Sequence, residues 1–103
     1  MIHSVFFWLK KDLSAEQRST FERELILLKE ISYLVHGFVG KPAATPERPP
    51  VTDHTFDYSL VFHFKNLEDH DHYQKDCPQH IRFVETCKSF WEKVIVYDTK
   101  PFP

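Results

Sequence analysis

Alternation opens the chain. Over Ile2–Leu9, His3, Val5, Phe7 and Leu9 fall on one side of an extended backbone, and Ile2, Ser4, Phe6 and Trp8 on the other. Both sets are mostly apolar and the run is too short for a helix, so the pattern predicts a central strand covered on both faces. Lys10, Lys11 and Asp12 end it. The period then changes. Ser14 with Gln17 three residues on forms a capping box, and Glu16 suits the positive end of a helix. Phe21, Leu25, Leu28 and Ser32, with Ile31 beside them, keep helical spacing, whereas Arg18, Glu22, Lys29 and Glu30 decorate the other side. A helix is expected from Ser14 to about Ile31.

Tyr33 to Pro42 reads as a second strand carrying the two glycines of the chain, Gly37 and Gly40, which mark a bulge, a bend or a close backbone approach. Pro42, Pro46, Pro49 and Pro50 then forbid regular structure, so Lys41 to Thr55 is an exposed loop or an arm over a partner. From Asp57 to Phe64 the alternation returns. Tyr58, Leu60, Phe62 and Phe64 make an apolar face opposite Asp57, Ser59, Val61 and His63. Asn66 caps a short acidic helix from Leu67 to about Lys75. Pro78 starts another towards Lys88, with Ile81 and Val84 on one side and Cys87 and Lys88 continuing the turn. Val94 to Tyr97 is the last strand, and Thr99 to Pro103 a proline-limited tail.

Strand, helix, strand, strand, helices, strand is the ferredoxin-like β-α-β-β-α-β order, an α+β fold with helices on one face of an antiparallel sheet. Its usual strand order sets the first strand antiparallel to the last, which brings His3 near Asp98. The other sheet face is apolar too and needs a second sheet, and two such sheets face to face make a dimeric α/β barrel.

Composition sharpens this reading. At 103 residues the chain is expected to be one domain, 1–103. Aromatic residues make up 16%, with ten Phe, more than so short a core readily takes, which again points to a homodimer that pools cores. A net charge of −2 with no clustered basic face argues against nucleic acid. No apolar run approaches the roughly 18 residues of a membrane span, and the opening apolar run stops too soon for a signal peptide, so a cytoplasmic protein is expected. Cys77 and Cys87 lack CxxC spacing and a base at fixed spacing, and read as free thiols without a nucleophilic role. Glu68-Asp69-His70-Asp71-His72 reads as a solvated acidic helix. Its two histidines lie two apart, about 200° round a helix, which argues against a metal site and leaves a divalent cation held with help from a partner loop as the alternative; no cofactor is expected.

The chain resembles the stress-responsive dimeric α/β-barrel (Dabb) family over essentially its full length. The resemblance rests on Ile2-His3 opening a strand, Gly37 in the second strand, the run Tyr58 to Phe64, Tyr73, Pro78-Gln79-His80, and a terminal strand ending in Asp98. Ser89-Phe90-Trp91-Glu92-Lys93, followed by an aliphatic strand, Tyr97 and Asp98, is especially similar to a plant polyketide cyclase of that family. Two departures are visible. Cys77 replaces the first His of the frequent His-Pro-x-His, and one extra residue separates Tyr73 from Pro78.

The resemblance implies a homodimer with a cavity between sheet and helices in each protomer. It further implies a site of His80, Tyr73, His3 and Asp98, with His80 as base for an intramolecular aldol condensation. Histidine suits such work because it titrates near neutrality and a carboxylate, here Asp98, can fix its tautomer. Tyr73 would hydrogen-bond the carbonyl oxygen as charge grows there. Phe7, Tyr58, Phe62, Phe83 and Trp91 would hold a small, mostly apolar ligand. Against this stands a structural reading, in which His80 packs the turn after Pro78 while His3 and Asp98 tie two strand ends together. A non-catalytic stress or assembly protein and a cofactor-free monooxygenase are the alternatives that follow.

Overall fold

In a computed structural model describing residues 1–103, the elements run β1 (Ile2–Leu9), α1 (Ala15–Leu28), β2 (Leu34–Gly40), β3 (Tyr58–Phe64), α2 (Leu67–Asp76), α3 (Pro78–Cys87) and β4 (Trp91–Thr99). The strands form one antiparallel sheet in the order β2-β3-β1-β4. This is the ferredoxin-like α+β fold, with β1 beside β4 and the pairing of His3 with Asp98 that the strand order requires.

The period-2 pattern sets which side chains meet. His3, Val5, Phe7 and Leu9 of β1 are buried, as are Tyr58, Leu60, Phe62 and Phe64 of β3, and together they floor the core. α1 lies over them. Ser14 accepts from the Gln17 amide and Gln17 returns the bond to the Ser14 backbone, satisfying two amides that a helix start leaves free. Phe21, Leu25 and Leu28 face inward, each burial contributing about 1.5–3 kcal/mol. α1 stops at Leu28, short of the expected Ile31, because the amides of Lys29, Glu30 and Ile31 bond carbonyls three residues back and tighten the last turn. Ile31 remains buried all the same.

Other boundaries shift in instructive ways. On α3 the inward residues are Phe83 and Cys87, and Ile81 is 43% exposed, so the expected pairing of Ile81 with Val84 is corrected. Ile81 and Phe83 are two apart and cannot share a helix face. β4 extends beyond the expected Val94–Tyr97 at both ends, since Trp91 already pairs with Leu9 and Thr99 with Ile2. β2 is bulged between Leu34 and His36. Beside that bulge, a Cβ on Gly37 would lie 3.2 Å from Leu34 Cδ1 and 3.6 Å from the Lys29 backbone, a close approach that glycine permits.

The opposite sheet face carries no helix. Phe6, Trp8, Phe38, Ile95 and Tyr97 lie on it half-buried or exposed. The proline-rich loop returns over part of it. Thr55 accepts from the Trp8 indole at 2.9 Å, and the Phe56 ring meets Phe6 edge-on at 5.0 Å. No helix is long and apolar enough to cross a membrane.

Candidate functional site

Four elements bring the site residues together. β1 and β4 place His3 opposite Asp98. α2, capped by Asn66, whose side chain accepts from the Asp69 amide, delivers Tyr73. α3 begins with Pro78 at its first turn, and His80, Phe83, Val84 and Cys87 then follow at the spacing of one helix face. His80 therefore points the way the apolar residues point.

A cavity of about 180 Å³ opens between these helices and the sheet, lined by His3, Tyr73, His80, Phe83, Trp91 and Val94 among others. His80 packs on Tyr73, ring centroids 4.5 Å apart, so the extra residue before Pro78 does not separate them. His3 and Asp98 share a 2.5 Å hydrogen bond from His3 Nδ1. Asp98 thus orients His3, and His80 is held by packing. Phe7 meets Phe21, Phe83 and Trp91 with centroids 5.3–5.8 Å apart, closing one end of the cavity with rings.

Electrostatics divide the roles. Burial holds His80 below the ordinary histidine value, and the neighbouring His3 adds to the effect. His3 is also lowered. Burial there outweighs the pull of Asp98, and His70 works in the same direction as burial. Both rings are neutral at neutral pH, so His3 donates its Nδ1 proton to Asp98 and His80 keeps a free lone pair. Burial raises the Tyr73 hydroxyl well above its usual range, which keeps it a proton donor. The Cys87 thiol is pushed up to about 12 by burial, with Glu24 adding, so it stays protonated and a poor nucleophile.

Of the residues expected at a site, His3, Tyr73, His80, Phe7, Phe83 and Trp91 line the cavity, and Asp98 reaches it through His3. Two do not. Phe62 is fully buried between Phe64 and Tyr73, on the register position that pairs with His3. Tyr58 turns towards α1, where it donates to Glu22 at 2.5 Å in a separate groove of about 250 Å³ with Lys41 and Val39. That groove is the larger of the two, but its polar groups already satisfy one another.

His70 was not expected here. It stacks edge-on against His3 at 4.9 Å and against Phe64 at 5.6 Å, and its Nε2 is buried without a hydrogen-bond partner, 3.8 Å from Asp98 Oδ1. Its signal lay on its own helix, since His70, Tyr73 and Cys77 sit at i, i+3 and i+7.

The fold recurs among solved structures. The chain is similar to a Dabb-family protein with a ferredoxin-like fold from Mesorhizobium loti (20% identity, 99% of this chain and 96% of that one, TM-score 0.75). It is also similar to the hydroxynitrile lyase of Passiflora edulis (21% identity, 99% and 95%, TM-score 0.73). A third is a dimeric ferredoxin-like protein of unknown function from Bacteroides fragilis (23% identity, 96% and 93%, TM-score 0.69). No curated protein sequence matches. The family model described as the Stress Responsive A/B Barrel Domain matches residues 1–101, nearly the whole sequence, and the chain belongs to that Dabb family.

Proposed function

We propose that the protein is a homodimer, each protomer binding a small, mostly apolar carbonyl compound beside His80 and carrying out polyketide cyclase-like acid/base chemistry on it. One observation carries the reading: a neutral, half-buried imidazole stands in an apolar cavity against a tyrosine that stays protonated. His80 takes a proton from the carbon next to a carbonyl. Tyr73 donates to the oxygen on which charge grows, the new carbon–carbon bond forms as that carbanion attacks a second carbonyl, and the resulting alkoxide takes back the proton that His80 removed. His3, fixed by Asp98, keeps a neutral donor–acceptor at the same wall.

The cavity is smaller than the roughly 300 Å³ at which ligand pockets usually begin, which favours a compact substrate over a long chain. The fold houses a lyase in Passiflora edulis, which supports carbonyl chemistry here as a class. Dimerisation has its own support. The helix-free sheet face is lined by Phe6, Trp8, Ile95 and Tyr97, and several similar structures are dimers.

The test supplies a short linear β-polyketo thioester and follows ring-closed product by chromatography. Wild-type protein should form it. His80→Gln should keep the fold, read by circular dichroism, and lose at least a hundredfold of the rate, the low end of what a positioned acid/base group supplies. Turnover unchanged in His80→Gln, or no product from wild-type protein, sinks the reading.

A further inference from the structure

Behind the cavity wall that His3 lines, His3, His70 and Asp98 each offer one donor atom, and these atoms lie within 4.8 Å of one another. They come from β1, α2 and β4, so no local sequence motif joins them. His70 is the informative member. Its Nδ1 is 3.1 Å from Asp71 Oδ1, so Nδ1–H donates to that carboxylate and the lone pair falls on Nε2. Nε2 is buried, makes no hydrogen bond and lies 3.8 Å from Asp98. A buried lone pair without a donor is costly unless something else occupies that position. A carboxylate behind one imidazole nitrogen, with the other nitrogen free, is the arrangement that orients metal-binding histidines.

We propose that His3, His70 and Asp98 form a binding site for a divalent transition-metal ion of the zinc type. Two imidazoles and one carboxylate suit Zn²⁺ and its neighbours, whereas Mg²⁺ and Ca²⁺ want mainly oxygen ligands. Two donors about 2.1 Å from a tetrahedral ion lie about 3.4 Å apart. The His70–Asp98 separation is near this value and the 2.5 Å His3–Asp98 bond must open to reach it. Asp98 can make that change, because its side chain is 41% exposed and not locked by packing. On binding, the His3 proton moves to Nε2 and Nδ1 turns its lone pair to the ion. Three protein ligands leave a fourth position for water.

Zinc titration of the chelator-treated, full-length protein tests this by calorimetry, with thermal unfolding as a second readout. His36 and His63 are exposed register partners on β2 and β3 and form a competing surface pair, so the titration is run in a His63→Ala background. One ion per chain is expected, with a raised melting temperature. His70→Ala and Asp98→Asn should each weaken binding at least tenfold and abolish the thermal shift, whereas His80→Gln should bind zinc as tightly as the background. Asp98→Asn changes a half-exposed position and keeps the test open should His70→Ala fail to fold. No saturable binding, or binding that survives both Asp98→Asn and His70→Ala, overturns the site. His80 is outside the ligand set, so loss of turnover in His80→Gln with zinc affinity intact separates this proposal from the catalytic one.

Discussion

The two ends of the inner sheet face are built on opposite principles. At one end Phe7, Phe21, Phe83 and Trp91 pack ring against ring, and the indole N–H of half-buried Trp91 is the one polar group among them. At the other, His3, His70, Tyr73 and His80 use the same edge-on and tilted ring contacts, but each ring carries a nitrogen or hydroxyl that packing alone does not satisfy. The geometry is shared and the chemistry is not. The aromatic end supplies burial and so stability. The histidine end gives some of that up, keeping two imidazoles neutral below their ordinary range and one nitrogen without a donor. Perturbed and unsatisfied groups of this kind are what a functional site would draw on, and here they collect in one place.

That contrast can be broken from the aromatic side first. Phe21→Ala removes a fully buried ring that touches Phe7, Tyr58 and Phe83, and should cost about 3–5 kcal/mol in urea unfolding. A loss under about 1 kcal/mol would mean that the cluster does not carry the core. The next largest effect lies between the helices. Glu24 is 5% exposed and takes two hydrogen bonds from Arg82, at 3.0 and 3.1 Å, tying α1 to α3. Arg82→Ala strands that carboxylate and should destabilise by about 2 kcal/mol, discounted from a fully buried pair because Arg82 is mostly exposed. The double variant with Glu24→Leu should recover most of the loss, and a second variant that adds its own full cost would show that the pair is not coupled.

Acidification gives the smallest effect and sharpens the comparison from the histidine side. His3 and His80 take up protons less readily folded than unfolded. Stability is therefore fully present above the unfolded histidine value of about 6.5, falls as pH drops below it, and stops falling below the folded values. His80→Gln should flatten part of that slope, whereas Phe21→Ala should shift the curve without changing its shape. A wild-type unfolding free energy that stays level from about pH 7.5 to 5.5 would show that these imidazoles are not held neutral by the fold.

Much of this was legible in the sequence, for stated reasons. The capping box at Ser14 and the alternation of Tyr58 to Phe64 are local signals, and both appear where the pattern puts them. The His3–Asp98 pairing followed from strand order alone. Glu24 and His70 were passed over because a charge on a helix reads as a solvated face. Both fall within inward stripes, Phe21-Glu24-Leu25-Leu28 and His70-Tyr73-Cys77, and spacing would have placed them. Tyr58 and Phe62 were expected at the ligand because their face points inward. Which inward residues meet a cavity and which meet a helix depends on where α1 and α2 cross the sheet, and no periodicity reports that.

His3 and Asp98 stand 95 residues apart in the chain and adjacent in the sheet. Synthesis makes His3 well before Asp98, with two strands and all three helices in between. Any fragment cut before β4 is finished can carry the helices and the ring cluster yet lack the carboxylate that fixes His3. The hydrogen bond that fixes His3 thus forms only once β4 is in place, and a product that stops short of Asp98 lacks it.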